Sequence, residues 1–146
     1  MEEWRDVPGF EGLYQISIST KEGKCRSMSY HQTGKTKELS NKPNKTFNRI
    51  YWGLCKDGVT KKPQAAVWIA ITYPELVENE WFPGAEIDHI DTDRLNNHPS
   101  NLRWVTRKTN LSNPLTVKHN SEAQSGKKFS EEHRRKIGEA NKRRKK

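Results

Sequence analysis

Cysteine is scarce in this chain, and its scarcity excludes two architectures. The thiols Cys25 and Cys55 stand too far apart for a Cys-x-x-Cys site and lack companions for a four-ligand zinc cluster. Neither a disulfide scaffold nor a zinc-stabilised module is expected, and both read as reduced thiols on strands. Apolar residues are also sparse: they make up 31% of 146 residues, and the mean hydropathy is −1.10. That balance excludes one large core and favours an extended chain of small modules. No run approaches the ~20 apolar residues that a membrane span requires. No apolar segment follows Glu2, Glu3 and Arg5, so no signal peptide is expected and the chain is placed in the cytoplasm.

What is abundant is charge, and it is segregated. Lys and Arg number 27 against 18 Asp and Glu, a formal net charge of +9. Residues 1–19 carry −3, residues 20–62 carry +8, residues 63–114 carry −3 and residues 115–146 carry +7. An acidic middle between basic flanks suits a polyanion held on both sides while a cation is concentrated between them. A merely solubilising surface would intermix the signs.

The acidic middle contains the most informative stretch, EIDHIDTDRLNNHPSNLRWVTRKTN over residues 86–110. Ile87, Asp88, His89 and Ile90 read as a short strand, a polar loop follows, Leu102, Trp104 and Val105 give a second strand, and Thr106 opens a helix. Two strands and a short helix of this kind can bring Asp88, His89, Asn101 and Asn110 to one point. The carboxylate of Asp88 and the amide oxygen of Asn110 are hard donors that suit Mg²⁺, with Mn²⁺ able to substitute. An imidazole at His89 can deprotonate water near neutral pH while a cation stabilises charge on a phosphate and its leaving oxygen. Asp91, Asn96, Asn97 and His98 are assigned to loop structure.

The order Asp88-His89, Asn101-Leu102, Asn110 resembles the HNH motif of the ββα-metal nucleases, and the surrounding words resemble the HNH homing endonucleases of phages and mobile introns. The resemblance implies that His89 is the general base and that Asn101 ties the loop so the imidazole is oriented. It implies too that Asp88 and Asn110 hold one divalent ion. The substrate it implies is double-stranded DNA, cut by a chain acting as a monomer, in the host cytoplasm if the gene belongs to a phage.

The flanks read as DNA-binding appendages. In residues 1–29, Trp4, Val7, Phe10 and Leu13 surround a Pro8-Gly9 turn, and Tyr14, Ile16 and Ile18 alternate as in a half-buried strand, with Arg26 near the exposed end. This unit resembles the N-terminal modular motif that accompanies homing nucleases. Residues 30–45 read as a flexible basic loop. Between Thr46 and Pro63 a β-hairpin turns at Lys56-Asp57-Gly58 and presents Lys45, Arg49, Lys56, Lys61 and Lys62, with Trp52 assigned to the core. Residues 65–73 (AAVWIAITY) predict a buried helix stopped by Pro74. In the resembling nucleases a Val-His-Arg segment enters this helix, and here Pro63, Gln64 and Ala65 stand in its place. After Asn113-Pro114, read as the end of the short helix, Ser130 predicts an N-cap for a basic helix beginning at Glu131. FSEEHRRKIGEANK resembles the modular DNA-binding helix found downstream of homing nucleases, and only Phe129, Ile137 and Ala140 are available to bury. The tail is expected to order on DNA. Arg107 from the core, with Lys127, Lys128, Arg134, Arg135 and Lys136 from the tail, completes the expected DNA contacts.

The expected fold is α+β: a β-rich N-terminal module over residues 1–29, a basic loop and hairpin over 30–62, a ββα-metal nuclease core over 63–114, and a basic helical tail over 115–146. The expected activity is metal-dependent hydrolysis of DNA. The competing reading, prompted by Gln64 and Ala65, is a sequence-specific DNA-binding protein whose HNH motif is catalytically weak or inactive.

Overall fold

The computed structural model describes residues 2–125 and 130–144, an α+β chain that divides after Asn113 into two compact units. The first unit opens with a four-stranded antiparallel sheet in the order β1 (Arg5–Asp6), β2 (Tyr14–Ser17), β3 (Lys24–Ser27) and β4 (Lys37–Glu38). The stretch expected to be a basic loop therefore contributes a strand, because Glu38 and Lys37 register against Arg26 and Ser27. β5 (Leu54–Lys56) and β6 (Val59–Lys61) form the anticipated hairpin. Its two turn residues, Asp57 and Gly58, have φ of 51° and 75°. This left-handed pair matches the strand twist and explains the Asp-Gly dipeptide.

Helix α1 (Ala65–Thr72) lies at the centre of the core. Its sequence lacks a polar face, so it must be surrounded rather than laid on a surface. Trp68 donates its indole N–H to the Trp52 carbonyl at 3.0 Å and meets Phe10 edge-on at 5.5 Å, and the Tyr73 hydroxyl donates to the Ile16 carbonyl at 2.8 Å. These contacts tie the N-terminal sheet, the hairpin segment and α1 into one cluster. Trp52 is buried, as expected, and its indole N–H donates to Asn41 Oδ1. Cys25 lies buried on β3 and Cys55 exposed on β5, both as free thiols. The same core receives Ile87, Leu102 and Trp104 from a second hairpin, β7 (Glu86–His89) and β8 (Leu102–Val105), followed by α2 (Arg107–Leu111). Thr106 caps α2 by accepting from the Thr109 backbone N–H.

The second unit holds α3 (Pro114–Gln124) and α4 (Glu131–Arg144). Here the structure corrects the sequence reading: Pro114 opens a helix rather than only closing one. Proline suits a first helical position because the N–H it lacks would have no intrahelical acceptor there. Ser130 caps α4 as expected, with its Oγ accepting from the His133 backbone N–H. Among the described residues, no helix is long and apolar enough to cross a membrane. Lys127, Lys128 and Phe129 lie outside the described residues.

Candidate active site

The β7–β8 hairpin sets the candidate site by its register: Glu86 faces Val105, Ile87 faces Trp104, Asp88 faces Arg103 and His89 faces Leu102. Side chains alternate along β7, so Ile87 and Asp88 leave on opposite sides, as do Asp88 and His89. Asp88 and His89 are both buried. Register places a cation directly across from Asp88. Arg103 donates to Asp88 Oδ2 from Nε at 2.9 Å and from Nη2 at 2.8 Å, and Asn113 adds a bond to the same oxygen at 3.2 Å. All of these bonds fall on Oδ2, which leaves Oδ1 without a hydrogen-bond partner among the described residues.

Asn110, on α2, donates its amide N–H to Glu86 Oε2 at 2.8 Å. That bond fixes the amide and leaves its Oδ1 uncommitted among the described residues. Asp88 and Asn110 thus each keep one oxygen while being held by another atom. A carboxylate oxygen and an amide oxygen of this kind fit a hard divalent cation, and the supporting bonds are those that orient ligands. Glu86, two residues before Asp88 on the strand, is a second carboxylate and is bonded to Asn110. Among the described residues no cluster of three or more His, Cys, Asp or Glu side chains could hold a metal ion.

His89 is held by a residue that sequence reasoning assigned only to loop structure. Its Nε2 lies 3.0 Å from Asn97 Oδ1, and Asn97 is itself buried. Asn97 Nδ2 donates to the Glu22 carbonyl at 3.1 Å, so its amide is turned with the oxygen towards the imidazole. An acceptor there requires N–H on Nε2 and leaves the lone pair on Nδ1. Burial pulls the imidazole below its usual range, favouring the neutral form. The only advance signal was the run Leu95-Asn96-Asn97, which looks like a turn.

Asn101 is bonded across the loop between β7 and β8. Its Nδ2 donates to Asp91 Oδ1 at 2.8 Å and to the Asn96 carbonyl at 2.9 Å, while its Oδ1 accepts the Asp91 backbone N–H at 3.1 Å. Asp91 also accepts from Asn96 Nδ2 at 2.7 Å, and these neutral donors hold its carboxyl below the ordinary range against the effect of burial. The four motif residues therefore lie on adjacent elements but form three separate hydrogen-bond groups: Asp88 with Arg103 and Asn113, Asn110 with Glu86, and the His89–Asn97 pair beside the Asn101 loop lock.

Several residues expected to meet DNA have internal partners. Arg26 lies over the Trp4 ring at 4.1 Å and donates to Gln15 Oε1, Lys56 donates to the Gly9 carbonyl at 2.7 Å, and Arg107 lies 3.3 Å from Glu86. Lys45, Lys61 and Lys62 are exposed, whereas Arg49 is half-buried. On α4, Arg134 is exposed, Lys136 pairs with Glu132 at 2.8 Å, and Arg135 lies 3.9 Å from Glu139.

Residues 80–112 match the family described as HNH endonuclease. Over 114 residues the chain is 37% identical to the DNA endonuclease I-HmuI of Bacillus phage SP01, across 78% of this chain and 58% of that protein. Its fold is similar to that in a solved structure described as "DNA binding and cleavage by the HNH homing endonuclease I-HmuI", with a TM-score of 0.59 and 30% identity. That match covers 90% of this chain and 64% of the other. The chain thus spans less than two thirds of the length of these relatives.

Proposed function

We propose that residues 80–112, which match the HNH endonuclease family, act as an HNH nuclease domain and that the chain is a metal-dependent endonuclease that hydrolyses phosphodiester bonds at a specific site in double-stranded DNA. One observation carries the reading: the His89 imidazole is buried, fixed through Nε2 to Asn97, and adjacent in sequence to a carboxylate that keeps a free oxygen. His89 is the general base and takes the proton of the attacking water at Nδ1. Asn97 holds the tautomer, and Asn101 locks the loop that carries Asn97. Asp88 and Asn110 are the ligands of one divalent cation, Mg²⁺ with Mn²⁺ as a substitute. When bound, that ion supplies positive charge for the phosphate and the leaving oxygen.

DNA is held by the exposed cations Lys45, Lys61 and Lys62, the last two at the end of the β5–β6 hairpin, and by the α4 cations, Arg134 among them. Arg26, Lys56, Arg107, Arg135 and Lys136 join by exchanging internal partners for phosphates. The chain acts as a monomer in the host cytoplasm.

The alternative, a DNA-binding protein with a weak HNH site, is favoured by a single feature: the Arg103 guanidinium already neutralises Asp88. A plasmid-nicking assay with Mg²⁺ and with EDTA decides between them. Nicking in Mg²⁺ alone supports the enzyme, and binding without nicking in either condition supports the alternative.

A further inference from the structure

The segment before α1 runs beside an earlier stretch of chain in a way the sequence does not announce. Tyr51 bridges Gln64 in antiparallel fashion, and the Ala65 backbone N–H donates to the Ile50 carbonyl at 2.8 Å. This pairing sets the side chains of Arg49 and Gln64 together, and Arg49 Nη1 donates to Gln64 Oε1. Both line an open groove of about 590 Å³ that Glu86 and Asn110 also line, with the exposed Trp81 on its rim.

Arg49 is half-buried, yet among the described residues its hydrogen-bond partner is a neutral amide and it forms no ion pair. Burial, with the Arg94 cation adding to it, pulls the Arg49 guanidinium down from its usual range against the smaller opposing effect of Asp88. Arg94 is in turn fixed by a bond to the Phe47 carbonyl at 3.3 Å. A partly desolvated guanidinium that lines a groove and forms no ion pair among the described residues favours an incoming anion. A carboxylate at position 64 would have satisfied Arg49 internally. Glutamine orients the fork and leaves its charge unspent.

We propose that Arg49, oriented by Gln64, binds a backbone phosphate of the DNA strand lying in the groove beside Asn110. This assigns a role to the Pro63-Gln64-Ala65 entry to α1. The cation is not provided by the entry segment itself but is delivered from residue 49 and aimed by Gln64, which is a positioning residue. The proposal rests on the nuclease reading for the identity of the strand as substrate, but the phosphate contact is measurable without cleavage.

The test uses the full chain with a short duplex, measuring binding in EDTA at several salt concentrations and single-turnover nicking in Mg²⁺. Arg49→Ala should flatten the log–log salt dependence of binding by about 0.9, the value of one phosphate contact. It should also slow nicking by roughly two to three orders of magnitude, as expected for removal of a fixed charge near the reacting group. Arg49→Lys should restore the slope while leaving nicking slow, because an ammonium replaces the charge but not the fork. Gln64→Glu is the decisive variant. A purely structural tether would be strengthened by the ion pair, so thermal stability would hold or rise and DNA binding would be unchanged. The proposal requires stability to hold or rise while the salt slope falls like that of Arg49→Ala. Wild-type slopes in both Arg49→Ala and Gln64→Glu would overturn it. A wild-type chain that binds but never nicks would overturn the nuclease reading instead, with the slope comparison still deciding on Arg49.

Discussion

Arg103 and Asp88 face each other across the β7–β8 register with Nη2 and Oδ2 2.8 Å apart, so a proposed cation ligand is already half neutralised by its own hairpin. The pair holds the carboxylate in one orientation and competes with the ion for its charge.

Replacing Arg103 with Met separates these effects. Removing one partner of a buried pair costs about 3–5 kcal/mol, and because the Arg103 side chain is partly exposed the expected loss is nearer 1–3 kcal/mol. Thermal denaturation should show that loss. The Mg²⁺ concentration for half-maximal nicking should nevertheless fall, by roughly tenfold or less, since the competing charge is gone. A higher Mg²⁺ requirement would mean that orientation by Arg103 matters more than its competition.

Asp88→Ala should abolish nicking at every Mg²⁺ concentration, whereas Asn110→Ala should only raise the concentration needed, because a neutral amide contributes less field than a carboxylate. Titrating Mg²⁺ and Mn²⁺ against each variant checks the ranking. Equal loss in both variants, or none in Asp88→Ala, contradicts the ligand assignment.

Asn97→Ala tests the hold on His89. Loss of the acceptor frees the imidazole to change tautomer and leaves a buried N–H unsatisfied, a stability cost of about 1–3 kcal/mol. Nicking should drop roughly tenfold to a hundredfold, the usual effect of removing a partner that orients a functional histidine. Binding in EDTA should stay at the wild-type level. Unchanged nicking would assign Asn97 to packing alone.

How much of this was legible in the sequence depends on how far each contact reaches along the chain. The β7 and β8 strands, the Asp57-Gly58 turn, the buried α1 and the Ser130 cap are local patterns of alternation, turn chemistry and capping, and all appear where expected. Arg103 as the partner of Asp88 follows only from strand register, which spacing does not reveal. Asn97 was hidden because its bonds reach back to Glu22, 75 residues away, while its neighbours mimic an ordinary turn. Helix α3 was missed because its apolar residues give no stripe: Leu115 and Val117 are exposed, and Pro114 reads as a stop.

The two thiols should differ sharply in reactivity. Burial pushes the Cys25 thiol up to about 12, so at pH 8 almost none of it is thiolate, whereas Cys55 is exposed. Alkylation of the native chain should label Cys55 alone, and denaturant should release the second site. Rapid native labelling of Cys25 would show that the N-terminal sheet opens readily.

A chain ending at Asn113 should keep the nuclease unit, since every proposed catalytic and metal-binding residue and the Asn113 bond to Asp88 precede the cut. Loss of residues 114–146, which carry +7, should weaken binding and flatten its salt dependence by about 0.9 for each phosphate contact removed. Nicking at low salt and high protein should survive. A wild-type salt slope would leave DNA binding to the hairpin between Lys45 and Lys62.

The most direct measurement is plasmid nicking by the wild-type chain and by His89→Ala, each in saturating Mg²⁺ and in EDTA, alongside DNA binding by both. The account predicts wild-type nicking only with Mg²⁺, a loss of roughly two to four orders of magnitude in His89→Ala, and equal binding by both proteins. Undiminished nicking by His89→Ala, or wild-type nicking that persists in EDTA, would contradict it.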